Sequence, residues 1–336
     1  MSLLTRHALL GLLALAGIVV LTSVVDPYTD VQIATVGYYL VAVAGLTLLT
    51  GTNGQISLGH GAFMFIGAYT VALLVIHVPT FPFWADLLLA AAAAGLAGAL
   101  TGAAAARLHG PYLAGATLAL AVGLPAITQR FPDALGGSNG LAFTVQSLPT
   151  GLAGTVPQTR WQAWVVWTTA LLLLVLLANV VRGRFGRILR AVRDDEVSAA
   201  LAGIHIGRTK ILAFLLSALC GGLAGGLQAF LLGTAAPGSF TLALSLSLLA
   251  AMVLGGVGSL WGALWGALAL VFVPQWADDL TKALDLGTDV AQHLPIAVFG
   301  AVLIAVVLAF PQGIHGGINR SLARLFRKKE THENNP

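Results

Sequence analysis

Ser57 and His60, inside "GTNGQISLGHGAF" (Gly51–Phe63), are the nearest thing in this chain to a nucleophile and its base. Ser138 and Ser259 also lie close to glycines, and His293 joins His60 at predicted membrane depth. A hydroxyl beside an imidazole could support serine-based proteolysis within a membrane, the ring accepting the hydroxyl proton. That chemistry needs a third group, usually a carboxylate, to orient the ring. None accompanies Ser57 and His60, and a Ser three residues before a His on one helix is also what chance produces. Helix capping and close packing explain these small polar residues better.

Other chemistries fare no better. No Cys/His spacing suits a zinc site, and the single cysteine, Cys220, excludes an intramolecular disulfide and reads as a small apolar filler. The chain has no GxxxxGK[ST], so it cannot cradle nucleotide phosphates in a P-loop. It is expected to bind no cofactor and to be no enzyme, with any ATP hydrolysis left to partner subunits.

The elements that hold these residues follow from composition. Of the 336 residues 57% are hydrophobic and 9% charged, against about 25% charged in a soluble domain. Such a chain cannot cover a water-facing surface, so its solvent is lipid. Crossing a core of about 30 Å takes roughly 20 helical residues. Apolar runs fit at 8–25, 31–50, 57–77, 85–106, 111–130, 161–181, 211–233, 243–257, 259–274 and 293–310. The expected fold is therefore an all-α, polytopic helix bundle of about ten spans. The runs at 243–257 and 259–274 are short, so eight spans plus a re-entrant pair is the alternative. The runs are continuous rather than alternating, which excludes a β-barrel. The first run resembles a secretory signal, but apolar sequence continues past "ALA" (Ala14–Ala16), and an uncleaved first span is expected.

Charge sets the orientation. Arg182, Arg184, Arg187, Arg190, Arg193, Arg208 and Lys210 lie in one loop, and Arg320, Arg324, Arg327, Lys328 and Lys329 in the tail, together 12 of 17 basic residues. The positive-inside rule places both segments, and with them both termini, in the cytoplasm. This clustering speaks against a nucleic-acid partner. Asp26, Asp30, Asp86, Asp133, Asp278, Asp279, Asp285 and Asp289 fall to the opposite loops. The expected layout is a transmembrane domain over 1–312, with a periplasmic loop at 131–160 and a cytoplasmic loop at 182–210, and a basic cytoplasmic tail over 313–336.

Ion-coupled transport normally uses ionisable groups inside the membrane, and a proton relay requires them, whereas a sodium site can also be built from backbone carbonyls. The runs above hold no Asp, Glu, Lys or Arg well inside, leaving Asn53, Gln55, His60, Asn179, Gln228 and His293. The driving force is expected to act from outside the membrane core. Within 182–210, Arg187, Arg190 and Arg193 form a cationic stripe. Asp194, Asp195 and Glu196 then open a second short helix, where its dipole favours acids, and Gly203 ends it. A charged hairpin resting on anionic headgroups explains the arginines; a surface for a docking partner also explains the second helix.

Glycine marks the remaining features. Gly95, Gly98 and Gly102, the pairs Gly221/Gly225 and Gly222/Gly226, and Gly258, Gly262 and Gly266 are spaced for close helix contact. Two glycine-rich corners, "GTNGQISLGHG" and "LGGVGSLWG", suggest a duplication. Gly54, Ser57, Gly61 and Ala68 form one smooth stripe, read as a packing seam. Asn53, Gln55 and His60 stand about the cytoplasmic corner, as a polar gate beside a pathway. Gly256, Gly258 and Ser259 are the matching candidates in the second corner.

Four stretches together carry a resemblance: "GQISLGHGAFMFIGAYT" (Gly54–Thr70), "LGGSNGL" (Leu135–Leu141), Gly186–Leu227, and "LGGVGSLWGALWGA" (Leu254–Ala267). They resemble the inner-membrane permease of branched-chain amino-acid ABC importers, of the LivM type. The resemblance implies a bacterial importer with a homologous second permease, two cytoplasmic ATPases and a periplasmic substrate-binding protein. It also implies that Arg187–Gly203 is the ATPase-coupling loop, since Glu196, Ala199, Ala200 and Gly203 are similar to the EAA-type pattern; Val197 and Ser198 depart from it. Related permeases carry urea, amides or aromatic acids, so a urea or amide importer is the alternative substrate class. A stand-alone secondary transporter is the alternative of another kind.

Overall fold

The computed structural model describes residues 3–107, 111–145, 154–284, 288–310, 312–317 and 320. Asp285, the loop segment 146–153 and the tail beyond 320, with Arg324, Arg327, Lys328 and Lys329, lie outside the described residues. The long helices are α1 (Leu3–Val24), α2 (Pro27–Leu46), α3 (His60–His77), α4 (Phe83–Ala105) and α5 (Pro111–Arg130). After a short α6 (Pro132–Leu135) come α7 (Gln158–Arg182), the small α8 (Arg184–Asp194) and α9 (Glu196–Leu201), and α10 (Ile206–Leu232). The chain closes with α11 (Leu242–Gly255), α12 (Leu260–Ala283) and α13 (Thr288–Ala309).

Among the described residues nine helical stretches are long and apolar enough to cross a membrane, and α1, with 22 residues, is a further long apolar helix. The protein is an all-α polytopic membrane bundle. At 1.5 Å per residue the 24 residues of α12 extend about 36 Å, ample for a crossing. The 14 residues of α11 reach only about 21 Å; the preceding turn at Pro237–Ser239 lengthens that stretch.

Local chemistry sets the ends. Asp26 caps α2, accepting from the backbone of Tyr28 (3.1 Å) and Thr29 (3.3 Å), and Pro27 fills the first turn. At its other end α2 widens into a π-helical segment, Thr47–Thr52. Gly136 (φ 72°) and Gly140 (φ 74°) bend the loop after α6. That bend lets strand β1 (Leu141–Ala142) pair antiparallel with β2 (Thr234–Ala235), Leu141 opposite Ala235. The pairing clips the loop to the end of α10.

The centre of the bundle is α2, α3, α4 and α10. The apolar stretch of α2 is 83% buried, whereas that of α5 is 22% buried. Helices gain little from apolarity against each other in lipid, so contact depends on small residues. A Cβ on Gly98 of α4 would meet the Phe214 carbonyl at 2.8 Å, and one on Gly102 would meet Ile211 Cα at 2.9 Å. The opposite face of α10 takes α3: a Cβ on Gly67 would run into the backbone of Gly222, and one on Gly225 into that of Met64. Glycines of the seam at Gly95–Gly102 and of the pairs on α10 thus meet one another's helices.

Asp30 and Asp86, both expected in loops, lie buried within first helical turns. Asp30 in α2 is fully buried, 3.5 Å from Arg160 Nε of α7. Asp86 in α4 is buried beside a cavity of about 370 Å³ shared with Phe83, Phe143 and Phe230. Lys210, expected in the cytoplasmic loop, belongs to the first turns of α10 and is buried. These charges were misplaced because apolar runs fix where a span lies, not where its terminal turns begin.

Candidate functional site

The connection from α2 to α3 is the least regular backbone in the bundle. After Thr52 the chain turns back alongside α2: Gly54 N–H donates to the Thr50 carbonyl (3.1 Å) and Gln55 N–H to that of Leu49 (3.3 Å). It then runs without helix to His60, where α3 begins. His60 sits beside the Ala42 carbonyl, without a full hydrogen bond to it. From Leu49 back to Ala42 is about two turns, or roughly 10 Å. Residues 53–59 therefore climb from the end of the bundle to near its middle as irregular chain.

Irregular backbone at membrane depth needs partners from the protein. Thr117 Oγ1 of α5 accepts from Leu58 N–H at 3.0 Å, and Ser245 Oγ of α11 accepts from Gly61 N–H at 3.0 Å. Ser57 Oγ faces Gly59 N–H at 3.4 Å. Ser57 and His60 are fully buried, and His60 meets the edge of Phe63 and lies over Gly221. Asn53 and Gln55 are buried, with side-chain amides that find no hydrogen-bond partner among the described residues. Gly54 and Ile56 between them point outward, Ile56 at 53% exposure.

This corrects two expectations. His60 lies deep in the bundle, away from the corner where Asn53 sits. Gly54, Ser57, Gly61 and Ala68 form no single stripe, because the helix that would align them begins only at His60. Gly61 packs on Ser245 of α11, while the tight α3–α10 contact runs through Gly67.

The α8–α9 hairpin is fastened to the same corner. Arg187, Arg190 and Arg193 do not share one role. Arg187 is exposed, Arg190 donates to the Val181 carbonyl at the end of α7 (3.1 Å), and Arg193 Nη1 donates to the Gly51 carbonyl at 2.8 Å. A Cβ on Gly54 would press the Arg193 stem at Cβ, 3.4 Å away. Asp194 is exposed, 3.2 Å from Arg193 Nε. Asp195 caps α9 through Val197 N–H (2.8 Å) and Ser198 N–H (3.0 Å). The Ser198 bonds, with that of Val197, hold the Asp195 carboxyl below its usual range. Glu196 pairs with Lys210 Nζ at 2.7 Å. Ala199 is buried and Ala200 exposed; Gly203, at φ 84°, ends α9 so that Ile204 N–H returns to the Ala199 carbonyl (3.0 Å). The outer side of α9 presents Val197 and Leu201, 71% and 86% exposed.

The second glycine-rich corner meets the first. Gly256 (φ 125°) and Gly258 (φ 83°) make the turn between α11 and α12, which only glycine adopts freely. Ser259 Oγ accepts from Gly262 N–H at 3.1 Å and caps α12. A Cβ on Gly51 would lie 2.8 Å from Gly258 Cα. Gly51, Thr117 and Ser245 were not singled out from sequence; lone hydroxyls in apolar helices are the signal that marks the latter two, since they serve there as hydrogen-bonding glue.

The structure is thus a multi-pass bundle with an exposed hairpin fastened to its central helices. Residues 29–308 match the family model for the branched-chain amino acid transport system permease component. The chain belongs to that family. It is 31% identical over 297 residues to the high-affinity branched-chain amino acid transport system permease protein LivM of Escherichia coli K12, covering 82% of this chain and 67% of that protein. It is 28% identical over 297 residues to LivH of the same organism, covering 83% and 91%. A 92-residue stretch is 34% identical to the E. coli L-arabinose transport system permease protein AraH, covering 27% of this chain and 28% of that protein. No solved structure matches the chain.

Proposed function

We propose that this chain is one permease subunit of an ABC importer for branched-chain amino acids in a bacterial inner membrane. It works with a homologous second permease, two cytoplasmic ATPases and a periplasmic binding protein, and its termini and the α8–α9 hairpin face the cytoplasm. Similarity to both LivM and LivH, whose names describe permeases of branched-chain amino acid transport, supports the substrate and the pair.

The observation that carries the reading is the segment 53–59. At one end Arg193 holds its corner to the hairpin; further in, Ile56 is exposed on irregular chain at membrane depth. Lipid does not accept irregular backbone, which is tolerated only against protein or a water-filled cavity. The face bearing Ile56, flanked by α5 and α11, is therefore where the second permease and the pathway lie. Motion imposed on the exposed side of α9 passes through Arg193 to Gly51, and from there to Gly258. The unpartnered amides of Asn53 and Gln55 gain partners in the other state of the cycle.

The test is Ile56→Cys in the assembled importer in proteoliposomes, where native Cys220 is buried. A membrane-impermeant thiol reagent should label it at a rate that changes with ATP. Labelling only by lipid-soluble reagents, unchanged by ATP, would overturn the assignment of this face. Binding-protein-dependent uptake of urea in place of leucine would overturn the substrate.

A further inference from the structure

Between α1, α7 and α12 lies a cavity of about 750 Å³. Its size falls in the range of pockets for small organic ligands. Its walls are apolar along most of their length, with Leu10, Leu174, Leu264 and Trp261 among them, and Leu40 and Trp167 at depth. At the hairpin end its lining changes to Arg182, His7 and His315. No residue of the lining is acidic. Arg182 donates to His7 Nε2, which leaves His7 Nδ1 to donate to Asn179 Oδ1 at 3.1 Å. This relay holds the guanidinium in place, and among the described residues no carboxylate pairs with Arg182.

We propose that this cavity binds one anionic phospholipid, its phosphate on Arg182 and an acyl chain along the α1–α7–α12 crevice. An uncompensated cation at the mouth of a lipid-facing apolar cavity complements that amphiphile: the chain replaces bilayer contacts and the phosphate supplies the missing charge. The lining also includes Gly258 and Ser259, the corner packed on Gly51. A bound lipid therefore braces the turn through which the hairpin is linked to the bundle. The site rests on the membrane fold alone and stands whatever the solute.

The test is native mass spectrometry of the detergent-purified full chain with phosphatidylglycerol and phosphatidylcholine of identical acyl chains. The wild-type protein should retain phosphatidylglycerol about fivefold over phosphatidylcholine, the worth of one basic residue near an anionic surface. Arg182→Gln should abolish the preference while leaving some retention of both lipids, and Ala178→Trp, filling the crevice, should remove both. Equal retention of the two lipids by the wild-type protein overturns the proposal without recourse to any variant. A preference unchanged in Arg182→Gln, or retention unchanged in Ala178→Trp, overturns it too.

Discussion

Glu196 Oε1 lies 2.7 Å from Lys210 Nζ, but the pair is lopsided: the Lys210 side chain is 6% exposed and that of Glu196 42%. Removing the partner of a buried charge costs far more than removing the buried charge itself. Glu196→Ala should therefore destabilise the hairpin end by about 2 kcal/mol, less than a fully buried pair because water screens the glutamate. Lys210→Met should cost under about 1 kcal/mol. Denaturant unfolding in detergent, with hydrogen exchange of α9, reads both; equal losses would refute the asymmetry.

The same logic applies at the opposite end. Arg160→Ala strands the fully buried Asp30 and should lower the melting temperature, and adding Asp30→Asn should restore most of it. A double variant no better than the single one would mean that Arg160 acts through packing alone.

Arg193 and Arg187 should separate by phenotype. Arg193→Ala removes a charged hydrogen bond to Gly51 and should cut uptake about tenfold, in line with such bonds, while the complex still assembles. Arg187→Ala, on the exposed side, should instead reduce co-purification of the ATPases. Reversal of the two outcomes would place the docking surface on the wrong side of α8.

Glycines provide a built-in contrast. Gly67→Val forces a side chain into the backbone of Gly222 and should cost about 1–3 kcal/mol or more, seen as lost yield and early thermal aggregation. A Cβ on Gly115 or Gly123 of α5 meets nothing within 4 Å. Gly115→Leu should leave the isolated subunit stable and block assembly with the second permease. An isolated subunit as damaged as Gly67→Val would show that α5 is already packed.

Asp195 makes α9 pH-sensitive in a defined direction. Its carboxyl is held below the usual range by the amides it caps, so the cap is complete above the unfolded value of about 3.9 and is lost as pH falls through the lower folded value. The protection of the amides over 196–202, taken relative to their intrinsic exchange rates at each pH, should be high at neutral pH and fall on acidification, and Asp195→Asn should flatten that dependence. A wild-type profile identical to that of Asp195→Asn would refute it.

What sequence could disclose follows from what each feature depends on. A span depends on its own composition, so the long helices were readable one by one. The α8–α9 hairpin was readable too, since Asp195 and Gly203 act within a few residues of themselves. The α2–α3 connection was not. Its "GQISLGHG" looks like the start of a helix, and only Thr117 and Ser245, supplied by distant helices, make irregular chain tolerable there. The arginine stripe misled for the same reason, because Val181 and Gly51, not the spacing of the arginines, decide which of them face inward.

The irregular segment also dictates an order of manufacture. Leu58 waits for a hydroxyl 59 residues further along the chain, and Gly61 for one 184 residues away. While α2 and α3 emerge from the ribosome, neither partner has been made. This hairpin cannot be released into lipid when its own synthesis ends; it must stay at the insertion machinery or beside a chaperone until α5, and finally α11, arrive to seal it.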